Sequence, residues 1–244
     1  MPLQNIRQLM NVWLSLKVGF LINNISPKSP IKRGYKIWLR ADKLGYVCDF
    51  QVYTGKTNNK VEVNLGQRVV LELCEGLENK GYNILFDNYF KSVSLEDNLN
   101  QRGLPSCGTV RSDRKGLPQL KQDRDLSRGE CDYAVRSDGI ACVKWKDKRC
   151  VMFLSTIESP QEMSTVNRKE SDGSITQIQC PSIAKTYHAN MGCVDKADML
   201  RSLYTIDRKT KRTWLRLFWY FVDVSIVNSC ILYSLSNTGR SLKL

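Results

Sequence analysis

Asp87 ends the apolar run Tyr82-Asn83-Ile84-Leu85-Phe86 and stands among the aromatics Phe86, Tyr89 and Phe90. A short continuous apolar run fits a buried central strand. The carboxyl ends of such strands are where open α/β sheets bind ligands. A charge among aromatics must be compensated or stand at the edge of a site, although a turn or helix cap uses the same residue type. Asp195 and Asp198 lie three apart in Met191-Gly192-Cys193-Val194-Asp195-Lys196-Ala197-Asp198. On a helix that spacing sets both carboxylates on one face, ~5–6 Å apart between Cβ atoms. Such a pair either binds a hard cation such as Mg²⁺ or complements the positive end of its own helix.

Basic residues come in three groups: Lys28, Lys32, Arg33 and Lys36; Arg111, Arg114 and Lys115; Arg208, Lys209, Lys211 and Arg212. Any one group fits a solvated face. Three of them on a chain of net charge +13 fit a track for a phosphodiester backbone better. Tyr35 and Trp214 adjoin two of the groups and could stack on bases, but core packing is the expectation for both.

These residues need elements to carry them. Aromatic and β-branched residues recur over Tyr35–Leu39 and Tyr46–Tyr53 around Asp42-Lys43-Leu44-Gly45, which predicts a hairpin. Leu65, Val69, Leu73 and Leu77 form one helical stripe, with Gly81 as a stop. Ser92 to Gln101 predicts a second helix, with Ser94 as its cap and Gly103 beyond its end. Short strands are expected at 107–110, 133–135, 141–145 and 151–154, and polar loops at 111–130 and 158–180. Helices are expected near Asp195–Tyr204 and Thr213–Leu235. Residues 1–30 read as an irregular or helical lead-in that ends in Ser26-Pro27-Lys28-Ser29-Pro30.

Composition removes several function classes. The nine cysteines include no Cys-x-x-Cys pair, so no compact zinc module is expected, and reduced, mostly buried thiols are. His188 is the single histidine, which leaves little room for a histidine general base. No secretory cleavage pattern follows the apolar patches of residues 9–25. Trp214–Leu235 is apolar enough to suggest a membrane span, but Arg216, Asp223 and Asn228 interrupt it, and a buried core helix is expected instead.

Taken together, the motifs resemble the piggyBac transposase family. The resemblance is carried by Gly81-Tyr82-Asn83-Ile84-Leu85-Phe86-Asp87-Asn88-Tyr89-Phe90-Lys91-Ser92, Arg102-Gly103, Gly108-Thr109-Val110-Arg111 and Lys32-Arg33-Gly34-Tyr35-Lys36-Ile37-Trp38. Val143-Lys144-Trp145-Lys146-Asp147, the Met191–Asp198 segment and Arg208-Lys209-Thr210-Lys211-Arg212-x-Trp214 extend it, in the family's order. It implies an α/β fold, a ribonuclease-H-like mixed sheet flanked by helices and interrupted by a β-rich insertion. The implied segments are a lead-in at 1–30 in place of the family's first catalytic strand, the first part of the domain at 31–110 and the insertion at 111–185. The helical end follows at 186–238, then a tail at 239–244. The resemblance also implies cutting and joining of DNA in the nucleus by aspartates that hold two Mg²⁺ ions ~3.5–4 Å apart. It further implies a homodimer without membrane attachment. Asp87 corresponds to the second catalytic aspartate, Asp195 to the third and Asp198 to an additional acid on the same helix.

The departures set the functional expectation. The family's first aspartate belongs about where this chain has Met10-Asn11-Val12-Trp13-Leu14-Ser15-Leu16-Lys17, and no Asp or Glu precedes Asp42. Cys193 replaces a usual glycine, and the family's upstream DNA-binding and dimerisation regions and closing cysteine-rich zinc module are missing. The expectation is a transposase-derived protein that binds DNA and does not cleave it. An active nuclease that recruits Asp42 or Asp49, or a non-catalytic DNA-binding scaffold, are the alternatives. A lead-in without the first strand would also leave a sheet edge open.

Overall fold

Within the expected irregular or helical lead-in, Val12–Ile22 form a strand. In it Leu14, Leu16, Val18, Phe20 and Ile22 alternate with Ser15, Lys17, Gly19 and Leu21, and that period of two outweighs any helical reading. The computed structural model describes residues 12–22, 34–55, 62–203, 205–206 and 212–237. Lys28, Lys32, Arg33, Arg208, Lys209, Lys211 and the expected tail 239–244 lie outside the described residues. In chain order the strands and helices begin with β1 (Val12–Ile22), β2 (Gly34–Asp42), β3 (Val47–Val52), α1 (Leu65–Leu73), β4 (Tyr82–Phe86), α2 (Val93–Gln101) and β5 (Ser106–Val110). They continue with β6 (Cys131–Val135), β7 (Ala141–Lys146), β8 (Cys150–Ser155), β9 (Met163–Lys169) and β10 (Ile175–Pro181). The chain closes with α3 (Ser182–Asn190), α4 (Cys193–Leu203) and α5 (Thr213–Ser236).

Two compact units result, one of Asn64–Met191 and one that joins residues from 14–63 to residues from 192 onward. In the first, β4 and β5 run parallel, and β5, β8, β7 and β6 continue antiparallel, giving a mixed sheet. Side chains alternate across it. Val143, Trp145 and Phe153 join Ile183 and Tyr187 of α3 on one face. Cys142, Leu154 and Val110 pack on the other face with Val93 of α2. The helix before β4 ends earlier than its leucine stripe, because Cys74–Gly76 turns the chain with Gly76 at φ +77°. Ser92, not Ser94, caps α2: its Oγ accepts the N–H of Leu95 at 3.2 Å.

The expected polar loop at 158–180 is mostly a two-stranded ribbon. β9 and β10 pair antiparallel from Met163↔Pro181 to Lys169↔Ile175. Burial alternates along β9, so only every second residue needs an inward side chain, and a two-stranded ribbon supports that with little apolar content.

In the second unit β2 pairs antiparallel with both β1 and β3, so β1 covers the edge of β2 that a missing strand would leave open. Ile37, Leu39 and Ala41 of β2 pack with Val194 and Ala197 of α4 and Tyr220 of α5. Gly45, at φ +83° in the β2–β3 turn, passes so close to α4 that a Cβ there would stand 3.1 Å from the Ala197 nitrogen. The α5 helix is not the fully buried core helix that its composition predicts. Tyr220, Asp223 and Val227 are buried, yet Trp214, Phe218, Ile226, Leu232 and Tyr233 are exposed. It is also long and apolar enough to cross a membrane by length and composition.

Candidate functional site

The first unit places Asp87 directly after β4, half-buried, at the carboxyl end of a strand whose last four residues are buried. Its Oδ1 accepts the N–H of Tyr89 at 2.9 Å, so the carboxylate also shapes its own turn. Arg114 crosses to that turn and donates from Nη2 to the carbonyls of Tyr89 (3.2 Å) and Asn88 (3.4 Å). Below the turn, Lys91 and Glu96 form a fully buried ion pair, with Ser106 Oγ donating to Glu96 at 2.8 Å and the Phe86 ring 4.3 Å from the Lys91 ammonium. Burial pushes the Tyr187 hydroxyl up to about 12, with Asp87 adding to the shift and a hydrogen bond to Thr109 opposing it. The sequence offered no sign of Tyr187, because it reaches this end of the sheet from α3, a helix whose period is short and weakly apolar.

Arg111 and Lys115 stand exposed just past β5, Arg111 within 3.3 Å of Asp113. Beside them lies a polar recess of about 420 Å³ lined by Asn88, Thr109, Arg111, Ser112, Asp123 and Lys144, among others. Within it Lys144 binds Asp123 at 2.6 Å and holds that carboxyl below its usual range.

In the second unit Asp195 and Asp198 both lie on α4, Asp195 in its first turn and exposed. Asp198 is half-buried, and Arg201 stands 3.7 Å from it. Lys36 on β2 lies 5.0 Å from the Trp38 ring, and Arg212 is exposed at the start of α5. Trp214 is exposed as well and does not pack in a core. The two acids considered as substitutes are engaged elsewhere. Asp42 Oδ1 accepts the N–H groups of Leu44 (2.8 Å) and Tyr46 (2.9 Å). Asp49 accepts the Phe50 N–H at 2.8 Å and faces Arg40 at 3.7 Å.

Carboxylates are the donors Mg²⁺ prefers. Within either unit, however, no three His, Cys, Asp or Glu side chains among the described residues gather into a group that could hold a metal. By that test the residues present do not fit a two-ion centre. His188 is held below the usual imidazole range by partial burial and by Arg168, 3.4 Å from its Nε2. None of the nine cysteines is in a disulfide, and burial raises the thiol of Cys107 to about 12.

Comparison with known proteins fits this description. A family model described as transposase IS4 matches residues 18–230. Human piggyBac transposable element-derived protein 3 is 35% identical over 178 residues, which cover 69% of this chain and 30% of that protein. Human piggyBac transposable element-derived proteins 2 and 5 are 28% and 25% identical, over 82% and 84% of this chain and 36% and 41% of their own lengths. A cryo-EM structure of a piggyBac transposase synaptic complex with hairpin DNA superposes with a TM-score of 0.79 at 27% identity, over 95% of this chain and 49% of that one. The chain therefore spans less than half the length of each of these relatives. The mixed sheet flanked by helices is that of the ribonuclease-H-like catalytic domain. Since the family model matches nearly the whole sequence, the chain belongs to the transposase IS4 family of piggyBac-type transposases.

Proposed function

We propose that this chain binds DNA through a transposase-type catalytic domain and does not cut it. The observation that carries the proposal is the residue content of β1. The resemblance sets the family's first acid at 10–17, and that stretch enters a strand with no carboxylate in it or before it. On the placement that the resemblance implies, this is the stretch that would have carried the family's metal-binding carboxylate. The engagement of Asp42 in its hairpin turn and of Asp49 beside Arg40 argues against either one as a replacement.

DNA is the expected partner because the chain carries a surplus of basic residues, with Arg111 and Lys115 exposed past β5 in the first unit and, separately, Lys36 and Arg212 in the second. Lys32, Arg33, Arg208, Lys209 and Lys211 would extend it. The nucleus is the proposed compartment, and a homodimer the proposed assembly.

The test is nicking of supercoiled plasmid by the purified chain in Mg²⁺ or Mn²⁺. The expected result is no open-circular product above background. Robust nicking that Asp87→Ala abolishes would overturn the proposal. Binding is tested separately by fluorescence anisotropy on duplex DNA. If about six phosphates are contacted, affinity falls by roughly 10³ between 50 and 200 mM salt, a log–log slope near −5. An affinity that ignores salt would remove DNA as the partner.

A further inference from the structure

Soft sulfur donors collect where the ribbon of β9 and β10 packs on the sheet of the first unit. Cys131 opens β6, Met163 opens β9, and Cys180 lies one residue before the end of β10. The Cys131 Sγ and the Met163 Sδ stand 3.8 Å apart. Cys180 is buried in a cluster with Trp145, Ile178 and Tyr187, and Cys131 packs against that same cluster. Burial raises the Cys180 thiol and Lys185 and Arg168 oppose the rise, while Cys131 is near enough for its charge to add to it. Neither cysteine is in a disulfide. Two cysteines alone fall short of a metal-binding group, and the thioether supplies a further donor.

The backbone brings Met163 to this place. It pairs with Pro181 at one end of the ribbon ladder, next to the Ser164↔Cys180 pair. Alternation sets it among the outward residues of β9, and it is 47% exposed. Its unbranched, flexible side chain nevertheless carries the sulfur to Cys131. The exposed methionine gives an ion a way in from solvent.

The spacing of the two sulfurs fits an ion between them. Metal–thiolate bonds are about 2.3 Å long, so two sulfurs on one ion stand about 3.8 Å apart at the tetrahedral angle and about 4.0 Å at the trigonal one. Donor type then selects the ion. Thiolate and thioether are soft ligands that favour Cu(I), whereas hard ions need oxygen donors. The carboxylates beside Cys131 in sequence are engaged with the backbone: Glu130 accepts the Ser127 N–H at 2.6 Å, and Asp132 the Lys121 N–H at 2.7 Å.

We propose that Cys131, Met163 and Cys180 form a three-sulfur site for Cu(I). Binding exchanges two S–H bonds for two S–Cu bonds and passes two protons to water. The thioether adds a lone pair, and nothing is oxidised or reduced. The ion ties β6 to both strands of the ribbon. The site is independent of the DNA reading.

The test is Cu(I) binding to the full chain under argon at neutral pH, in competition with bicinchoninate. The expected result is one Cu(I) per chain held against the chelator. X-ray absorption should show three sulfur neighbours at about 2.3 Å and no nitrogen or oxygen. Met163→Leu keeps the bulk and removes the donor, and Cys131→Ser and Cys180→Ser each remove a thiolate. Losing a group that merely supports a ligand costs roughly 10–100-fold in affinity, so each variant should weaken binding by at least about 10-fold. Cys48→Ser, which removes an exposed thiol in the second unit, should leave it unchanged. Circular dichroism shows whether the serine variants fold; if they do not, Met163→Leu, at an exposed position, decides. Failure to hold Cu(I) against the chelator, or parent-like affinity in any folded variant of the three, would overturn the proposal. So would nitrogen or oxygen bound to the copper, or a loss of binding in Cys48→Ser.

Discussion

Lys91 and Glu96 are both fully buried, yet they carry opposite charges, and neither has water to fall back on. Removing one partner leaves the other charge stranded, whereas removing both costs little beyond packing. Lys91→Met should therefore destabilise the chain by about 3–5 kcal/mol, and Lys91→Met with Glu96→Met should recover most of that. Urea unfolding of the two single variants and the double variant checks it. The two arginines after β5 should separate in the same spirit. Arg111 is exposed, so Arg111→Ala should reduce the salt slope of DNA binding by about 1. Arg114 is spent on the carbonyls of Asn88 and Tyr89, so Arg114→Ala should lower the melting temperature first. His188 gives a pH dependence of known sign. Its folded pKa lies below its ordinary value, so protonation favours the unfolded chain. Stability from this group is whole above about pH 6.5 and falls as the pH drops through the folded pKa. His188→Gln should flatten that acid-side decline in melting temperature.

Hydrophobic period predicted most elements, and its failures have local causes. The hairpin of β2 and β3, the strands β4 to β8 and the helices α2, α4 and α5 could be read from spacing within short windows. The strand β1 was missed because its period of two is blurred by additional apolar residues at Trp13 and Leu21. The ribbon of β9 and β10 was missed because along β9 only every second side chain is even half-buried and the rest are exposed. Cap geometry depends on the backbone at one residue, and Ser92, extended at φ −150° and ψ 158°, holds it, whereas Ser94 already lies within the helix. Ser92→Ala should cost about 1 kcal/mol, and Ser94→Ala less, in thermal or urea unfolding. The tie from α5 to β3 is another feature no local pattern foretells. Asn228→Leu would leave the N–H and carbonyl of Val47 without that partner, at a cost of roughly 2 kcal/mol.

At the scale of the molecule, the acids and the basic residues make separable statements. If the chain binds DNA electrostatically, raising salt weakens binding whether or not Asp87 is present. Asp87→Asn should therefore leave affinity unchanged or slightly improved, because it removes one negative charge near the phosphate track. Anisotropy at two salt concentrations measures this, and a large loss of affinity would mean that the acid organises the site. The candidate acids themselves could be identified from sequence, since a strand-end carboxylate and an i, i+3 pair are local patterns. So could the lack of any Asp or Glu before Asp42, where the resemblance expects the family's first acid. Whether Asp42 or Asp49 was available to replace it could not, because a carboxylate is engaged or not according to the amide and guanidinium groups that folding brings to it. The same holds for α5. Its composition marks an apolar helix, but apolar content is summed over all its faces. Only packing against β2, β3 and α4 decides which face is buried and which stays exposed.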